Sequence, residues 1–206
     1  GGIIVGGEVV HSPIFFVTIA MVGVNSGHSN GKPHRQQILT RNSASVGDKV
    51  AVTGNLGCSA GGLRMIQQGL DFDRETKDHL LNALDHPTPR LKEGLLLTRN
   101  GVRTATDVSD GLISDVGKLS VASDVHICID STSIPVDDFL RRSFANDWLS
   151  LALSGGEDYE LVFTAPLEVM ARIKDVLAVP VTVIGDVTDG PPGVTVVDSA
   201  GRVVSV

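Results

Sequence analysis

Residues 106–112 read Thr-Asp-Val-Ser-Asp-Gly-Leu and place two carboxylates and a hydroxyl within four residues, directly before a predicted helix. Mg²⁺ prefers oxygen ligands and is often held by one or two carboxylates together with the phosphate oxygens of a nucleotide. The free N–H groups at a helix N-terminus attract the same phosphates. The stretch is therefore typical of a Mg²⁺–nucleotide site. The alternative is a polar turn in which Ser109 or Asp110 caps the helix.

A second acidic run, over residues 154–161, reads Ser-Gly-Gly-Glu-Asp-Tyr-Glu-Leu and leads into an apolar strand. Its two glycines allow a tight turn or the close approach of a ligand. Three carboxylates this close together are costly unless a metal ion, hydrogen-bond donors or solvent relieve them. A solvated turn accounts for this run alone, whereas its combination with residues 106–112 favours a binding site.

Five further segments occur in an informative order. They are Gly-Gly-Glu-Val-Val-His-Ser-Pro at 6–13, Arg-Asn-Ser-Ala-Ser-Val-Gly-Asp at 41–48, Val-Thr-Gly-Asn-Leu-Gly-Cys-Ser-Ala-Gly-Gly-Leu at 52–63, Pro-Thr-Pro-Arg at 87–90 and Ile-Gly-Asp-Val at 184–187. Together with the two acidic runs, this ordered set resembles the thiamine-monophosphate kinase family, within the aminoimidazole-ribonucleotide-synthetase-like superfamily. The resemblance covers most of residues 5–198.

The resemblance implies an α+β fold, with a mixed sheet and helices packed on one face, as in the C-terminal domain of that superfamily. Residues 1–36 would be a linker and a remnant of an N-terminal ATP-binding and dimerisation domain, including one strand over residues 14–24. Residues 37–206 would form the C-terminal α/β domain. The chain then resembles an N-terminally truncated family member, either a natural truncation or a fragment.

The resemblance also assigns roles in phosphoryl transfer from ATP. The implied roles are Mg²⁺ binding for Asp107, Asp110 and Glu8, ATP binding for Ser109 and Arg41, and substrate binding for Glu157 and Asp158. Phosphoryl transfer needs charge neutralised on the phosphates and the nucleophile held in line, and it needs no covalent step by the protein. The alternative for each residue is a structural role, such as an acid that holds its own turn.

Three residues depart from the family pattern. Glu8 replaces an aspartate, which moves the carboxylate by about 1.5 Å, the length of one C–C bond. Val9 replaces a threonine and loses a hydroxyl, and Cys58 replaces an aspartate and loses a charge. We interpret Cys58 as a small packed residue, because the sequence indicates no base beside it.

Composition excludes several classes of protein. A net charge of -7 argues against a general nucleic-acid binder, although bound Mg²⁺ would still allow a nucleotide. The apolar run near residues 14–24 is too short to span a bilayer. Cys58 and Cys128 are far apart and match no zinc spacing, which is consistent with a reducing cytoplasm and no disulfide framework.

Periodicity and turn signals predict the remaining elements. Strands are predicted at 49–53, 125–129, 160–164, 181–187, 194–197 and 202–206, the last two as a closing hairpin, and helices at 59–69 with Ser59 as cap, 73–86, 92–100, 112–122, 148–153 and 167–177. Residues 25–36 are polar and rich in glycine, so we expect a linker there.

The resemblance therefore implies an ATP- and Mg²⁺-dependent kinase that converts thiamine phosphate to thiamine diphosphate and acts as a homodimer. We expect the kinase to be cytoplasmic and to be impaired in this chain. One alternative is another ATP-dependent synthetase or maturation factor of the superfamily. A second alternative is a non-catalytic, truncated dimerising domain.

Overall fold

A computed structural model describes residues 3–23, 27–29, 32–34 and 37–204. The chain divides into two compact units, Gly1–Gln36 and Gln37–Val206, and each is described by itself. Among the described residues, no helix has both the length and the apolar character that a membrane span requires.

The first unit differs from the sequence prediction. The described residues 14–23 form no strand, and the expected linker contains a short antiparallel ladder of β1 (Gly27–Ser29) and β2 (Lys32–His34). The apolar run has the composition of a strand, but a strand needs a partner for its backbone N–H and C=O groups. Among the described residues, none pairs with residues 14–23, so composition alone does not produce a strand there.

The second unit is built on a mixed six-stranded sheet, which confirms the predicted α+β class. Its strands are β3 (Lys49–Thr53), β4 (Thr104–Asp107), β5 (His126–Asp130), β6 (Leu161–Ala165), β7 (Val181–Thr188) and β8 (Gly193–Val197). They lie in the order β4-β6-β3-β7-β5-β8, and every neighbouring pair is antiparallel except β5–β8. The predicted closing hairpin is reduced to one bridge between Val197 and Val203, and residues 205–206 of its second strand lie outside the described residues.

The predicted helices form close to their expected bounds, and one helix that the periodicity missed, α5, is added. They are α1 (Cys58–Gln68), α2 (Arg74–Asp85), α3 (Leu91–Arg99), α4 (Leu112–Ser123), α5 (Asp138–Ser143), α6 (Trp148–Ser154) and α7 (Leu167–Val176), with a 3-10 turn at Ser131–Ser133. The helix α2 was predicted from its apolar period, and the structure adds a cap: Asp73 accepts a 3.0 Å hydrogen bond from the backbone N–H of Thr76.

Helices cover both faces of the sheet, which differs from the predicted coverage of one face. Side chains alternate along β3, so Val50 and Val52 pack with α4 while Ala51 packs with α7. The first face buries Leu112, Val116, Leu119, Ile127, Ile129 and Val162, and the second buries Leu97, Phe163, Met170 and Ile173. The sheet therefore sits in the middle of the core and holds the start of α4 in place.

A third cluster joins α1, α2 and α5 beside the sheet. It buries Met65, Leu80, Leu140 and Phe144 together with Cys58. Gly62 allows α1 and α2 to approach closely, because a side chain there would lie 2.5 Å from the backbone oxygen of Leu80. This close approach packs α1 against α2.

Candidate functional site

The stretch 106–112 joins β4 to α4 at the edge of the sheet. β4 pairs with β6 so that Asp107 lies opposite Leu161. Asp107 is exposed although the three residues before it in β4 are buried, and Gly111 forms the helix boundary with φ of 112°. The end of a buried strand therefore presents Asp107 to solvent beside the first turn of α4.

The alternative interpretation, in which Ser109 or Asp110 caps α4, is wrong because neither side chain caps the helix. Asp115 accepts hydrogen bonds from the backbone N–H groups of Ser109 (2.8 Å) and Asp110 (2.9 Å) instead. Only 1% of the Asp115 side chain is exposed. The buried Asp115 carboxylate thus holds the loop that precedes α4. An acidic residue in the first turn of the helix was the sequence signal for this contact.

Lys118 balances the acids at the start of α4. Its Nζ lies 2.5 Å from Asp110 and 2.6 Å from Asp115. The hydrogen bond from Lys118, with its charge and that of Arg41, holds the pKa of Asp110 below its ordinary value. Asp110 is therefore ionised at neutral pH, with most of its side chain open to solvent.

The second acidic run lies directly against the first. The backbone N–H of Glu157 donates to the carbonyl oxygen of Ser109 (3.0 Å), and that of Tyr159 donates to Val108 (2.9 Å). Glu157 and Tyr159 both adopt left-handed backbone conformations, with φ of 68° and 51°. Non-glycine residues in this region carry strain that the surrounding structure must hold, and such residues cluster at functional sites.

Tyr159 reports the electrostatic character of this surface. Its hydroxyl donates a 2.9 Å hydrogen bond to Glu157. That hydrogen bond and the Glu157 charge raise the pKa of Tyr159, and the carboxylates of Asp107 and Asp110 raise it further. Glu157, Asp107 and Asp110 therefore form an acidic cluster around Tyr159, in which Lys118 already pairs with Asp110.

Arg41 reaches the same place from a distant part of the chain. Its Nε lies 3.2 Å from the hydroxyl of Thr106, and its charge acts on Asp110. A bridge between Thr40 and Thr104 holds the preceding residue against β4. The fold thus brings Arg41, Asp107, Ser109, Asp110 and Glu157 close together, and the binding roles assigned to them stay predictions.

Asp158 and Glu8 are placed differently. The Asp158 carboxylate turns toward α1 and accepts the backbone N–H of Gly57 at 2.8 Å, so it takes the capping role that we predicted for Ser59. The Ser59 hydroxyl is buried without a partner among the described residues. Burial raises the pKa of Asp158 to about 7, against the lowering effect of the Gly57 and Ser59 N–H groups. Glu8 is exposed and belongs to the first unit.

A cavity of about 410 Å³ opens beside the acids and contains residues that the sequence reasoning did not assign to the site. Its wall is formed by Pro87, Pro89, Arg90, Leu91, Asp107, Tyr159 and Leu161. Arg90 is fixed by two hydrogen bonds to buried Glu160, at 2.7 and 2.5 Å. The cavity combines an apolar wall with a guanidinium and a carboxylate, as small-molecule sites commonly do.

The donor chemistry of Asp107 and Asp110 fits Mg²⁺, since both offer exposed carboxylate oxygens. Within the described residues, neither belongs to a group of three metal-ligating side chains. Bound Mg²⁺ would therefore need further oxygen ligands, such as those of a phosphate.

Comparison with known proteins gives a consistent picture. Residues 45–198 match the family described as AIR synthase related protein, C-terminal domain. A thiamine-monophosphate kinase of Escherichia coli (strain K12) is 38% identical over 191 residues, which cover 90% of this chain and 55% of the relative. The chain spans about half the length of the curated relatives it matches.

Solved structures agree with this comparison. The thiamine-monophosphate kinase from Stenotrophomonas maltophilia K279a is 37% identical with a TM-score of 0.73, over 82% of this chain and 55% of that one. AaThiL complexed with AMPPCP and TMP is 30% identical with a TM-score of 0.70, over 82% and 53%. The resemblance predicted from the motifs is confirmed.

Proposed function

The chain belongs to the family of AIR synthase related proteins through its C-terminal domain, and on this premise we propose that it carries part of a thiamine-monophosphate kinase. The reaction transfers the γ-phosphoryl group of ATP to thiamine phosphate and yields ADP and thiamine diphosphate. Since the chain spans about half of its relatives, we propose slow turnover for these 206 residues alone.

The convergence of Arg41, Asp107, Asp110 and Glu157 at the start of α4 is the observation that carries this proposal. Asp107 and Asp110 would hold Mg²⁺. The ion, when bound, neutralises charge on the phosphates during transfer. The Arg41 guanidinium suits phosphate oxygens through its planar set of donors, and Ser109 would contact the nucleotide beside it.

The cavity beside Tyr159 would receive the organic part of the substrate. Its apolar wall suits an aromatic ring system. The Glu157 carboxylate, which accepts a hydrogen bond from the wall residue Tyr159, suits a cationic ring or an amino group. Asp158 was also predicted to contact substrate. Because its carboxylate is turned toward Gly57, we propose that it acts by holding the loop that presents Glu157. We also propose that Glu8 is a metal ligand, that the protein is a homodimer and that it is cytoplasmic.

Thermal unfolding with ATP, with and without Mg²⁺, tests the site separately from turnover. A ligand at about 100 times its dissociation constant stabilises the folded state by roughly 2.7 kcal/mol. We expect a Mg²⁺-dependent rise in melting temperature that Asp110→Asn abolishes. The exposed Asp175→Asn on α7 is the matched control and should keep the rise.

The absence of a Mg²⁺-dependent rise, or an equal rise in Asp110→Asn, would contradict the nucleotide site. Formation of thiamine diphosphate by verified 206-residue chain measures turnover directly. Fast turnover would contradict the proposed impairment while leaving the proposed site intact.

A further inference from the structure

Three side chains from three different helices meet near the N-terminus of α1. Cys58 is the first residue of α1, His79 lies in α2, and Asp137 caps α5. The Asp137 Oδ2 atom lies 3.1 Å from the Cys58 sulfur and 2.5 Å from His79 Nε2, and the sulfur and Nε2 are 3.9 Å apart. The proposed kinase reaction assigns no role to this cluster.

The geometry argues against a cysteine nucleophile. In a nucleophile–base–carboxylate arrangement, the carboxylate binds one imidazole nitrogen while the other nitrogen faces the nucleophile. Here the same nitrogen, Nε2 of His79, faces both Asp137 and Cys58. The imidazole therefore cannot pass a proton between them in that manner.

The three donor atoms fit a metal ion better. All lie within 4.8 Å of one another. Tetrahedral zinc with bonds of about 2.0 Å to nitrogen and oxygen and about 2.3 Å to sulfur separates such donors by about 3.3–3.6 Å. The observed separations fall on both sides of this range, so side-chain movements of less than about 1 Å would complete the geometry.

Neighbouring contacts orient two of the donors. Asp137 uses Oδ1 to accept the backbone N–H of Leu140 at 2.9 Å, which leaves Oδ2 directed toward Cys58 and His79. The His79 ring stacks on Phe139 with centroids 4.4 Å apart. Hydrogen bonds such as that of Leu140 orient ligating carboxylates in proteins, and the stacking restricts the orientation of the imidazole. The His79 side chain is 39% exposed while Cys58 is buried, so an ion has an entry path from the histidine side.

We propose that Cys58, His79 and Asp137 bind one divalent transition-metal cation of the Zn²⁺ class, with a fourth coordination position for water. Binding releases the thiol proton to solvent and places the imidazole proton on Nδ1, so that the sulfur and Nε2 both face the ion. A mixed sulfur, nitrogen and oxygen set selects such ions over Mg²⁺, which prefers oxygen alone. The ion would join α1, α2 and α5.

Titration of the metal-stripped chain with Co²⁺ tests this proposal, because a thiolate bound to Co²⁺ gives a near-ultraviolet charge-transfer band. We expect one equivalent of Co²⁺ to produce the band, Zn²⁺ to displace it and millimolar Mg²⁺ to leave it unchanged. Cys128→Ser removes the other free cysteine and should keep the band. Cys58→Ser should lose the band, and His79→Gln should weaken Co²⁺ binding at least about 100-fold, because it removes a direct ligand.

Several results would overturn the proposal. They are Co²⁺ binding without the band, a band that survives in Cys58→Ser, and unchanged affinity in His79→Gln. Circular dichroism without metal verifies that each variant is folded. If Cys58→Ser does not fold, the Co²⁺ affinity of His79→Gln decides whether the proposal holds. None of these measurements depends on ATP or thiamine phosphate, so failure here is distinguishable from failure of the proposed kinase function.

Discussion

Asp158 shows how one residue makes stability depend on pH. Burial raises its pKa to about 7, and the nearby Glu160 carboxylate adds to the effect. In the unfolded chain the same group loses its proton near its ordinary pKa of 3.8. Between these values the folded state holds a proton that the unfolded state has lost, so the free energy of unfolding falls as pH rises. Above the folded pKa, the contribution of Asp158 stays constant.

We therefore predict that Asp158→Asn flattens this dependence. Asparagine keeps an oxygen that can accept the Gly57 N–H, but it does not titrate. The stability difference between variant and parent should shift in favour of the variant from about pH 4 to about pH 7 and then level off. Urea unfolding at a series of pH values measures it, with exposed Asp175→Asn as the control. A pH-independent difference would contradict the raised pKa.

At the scale of elements, the junction between α4 and α6 decides whether the acids are presented. Gly111 has φ of 112°, and a side chain there would lie 2.7 Å from the backbone oxygen of Ser154, the last residue of α6. Alanine at this position meets both backbone strain and a backbone clash, neither of which a flexible side chain can relieve. Strain of this kind costs about 1–3 kcal/mol per residue.

We predict that Gly111→Ala lowers the free energy of unfolding by at least about 2 kcal/mol and removes the Mg²⁺–ATP effect on melting temperature. Gly69→Ala is the matched control, since Gly69 also has positive φ but open space around it. It should cost about 1 kcal/mol and keep the effect of the ligand. Chemical denaturation and thermal shifts measure both quantities. An equal loss of unfolding free energy in the two variants would contradict the proposed effect of the clash with the backbone of Ser154.

Local signals predicted most helices and strands of the second unit, because the apolar period and the caps lie within each segment. Asp73 is such a cap, because it accepts a hydrogen bond from the backbone N–H of Thr76, three residues later. The caps of α1 and α4 were missed for a physical reason. Asp158 reaches Gly57 across 101 positions of the chain, and Asp115 acts on the loop before its own helix. Only the folded structure brings Asp158 to Gly57, whereas the Asp115 contact is local and was missed because the sequence reasoning considered Ser109 and Asp110 as caps.

At the scale of the whole molecule, the strand order assembles the candidate site. β4 and β6 are antiparallel neighbours, so the end of β4 lies beside the start of β6. The acidic residues that follow β4 therefore meet the acidic residues that precede β6. The family resemblance assigned Arg41, Asp107, Asp110 and Glu157 to one site, but it did not indicate which neighbouring residues complete that site. Tyr159 and Arg90 were missed because their roles depend on the cavity that they line.

The distribution of the core along the chain leads to a last prediction, on the domain boundary proposed at residue 36. The buried hydrophobic residues of the described chain all lie between Ala44 and Val196, whereas Phe15 and Val22 are 93% and 100% exposed. A chain of residues 37–206 should therefore keep a cooperative urea transition with nearly the same midpoint. Removal of the exposed apolar run should also reduce self-association, because large apolar patches promote it. Circular dichroism and analytical ultracentrifugation measure the two effects. A truncated chain that fails to fold would show that the first unit contributes to the core, and would contradict the boundary.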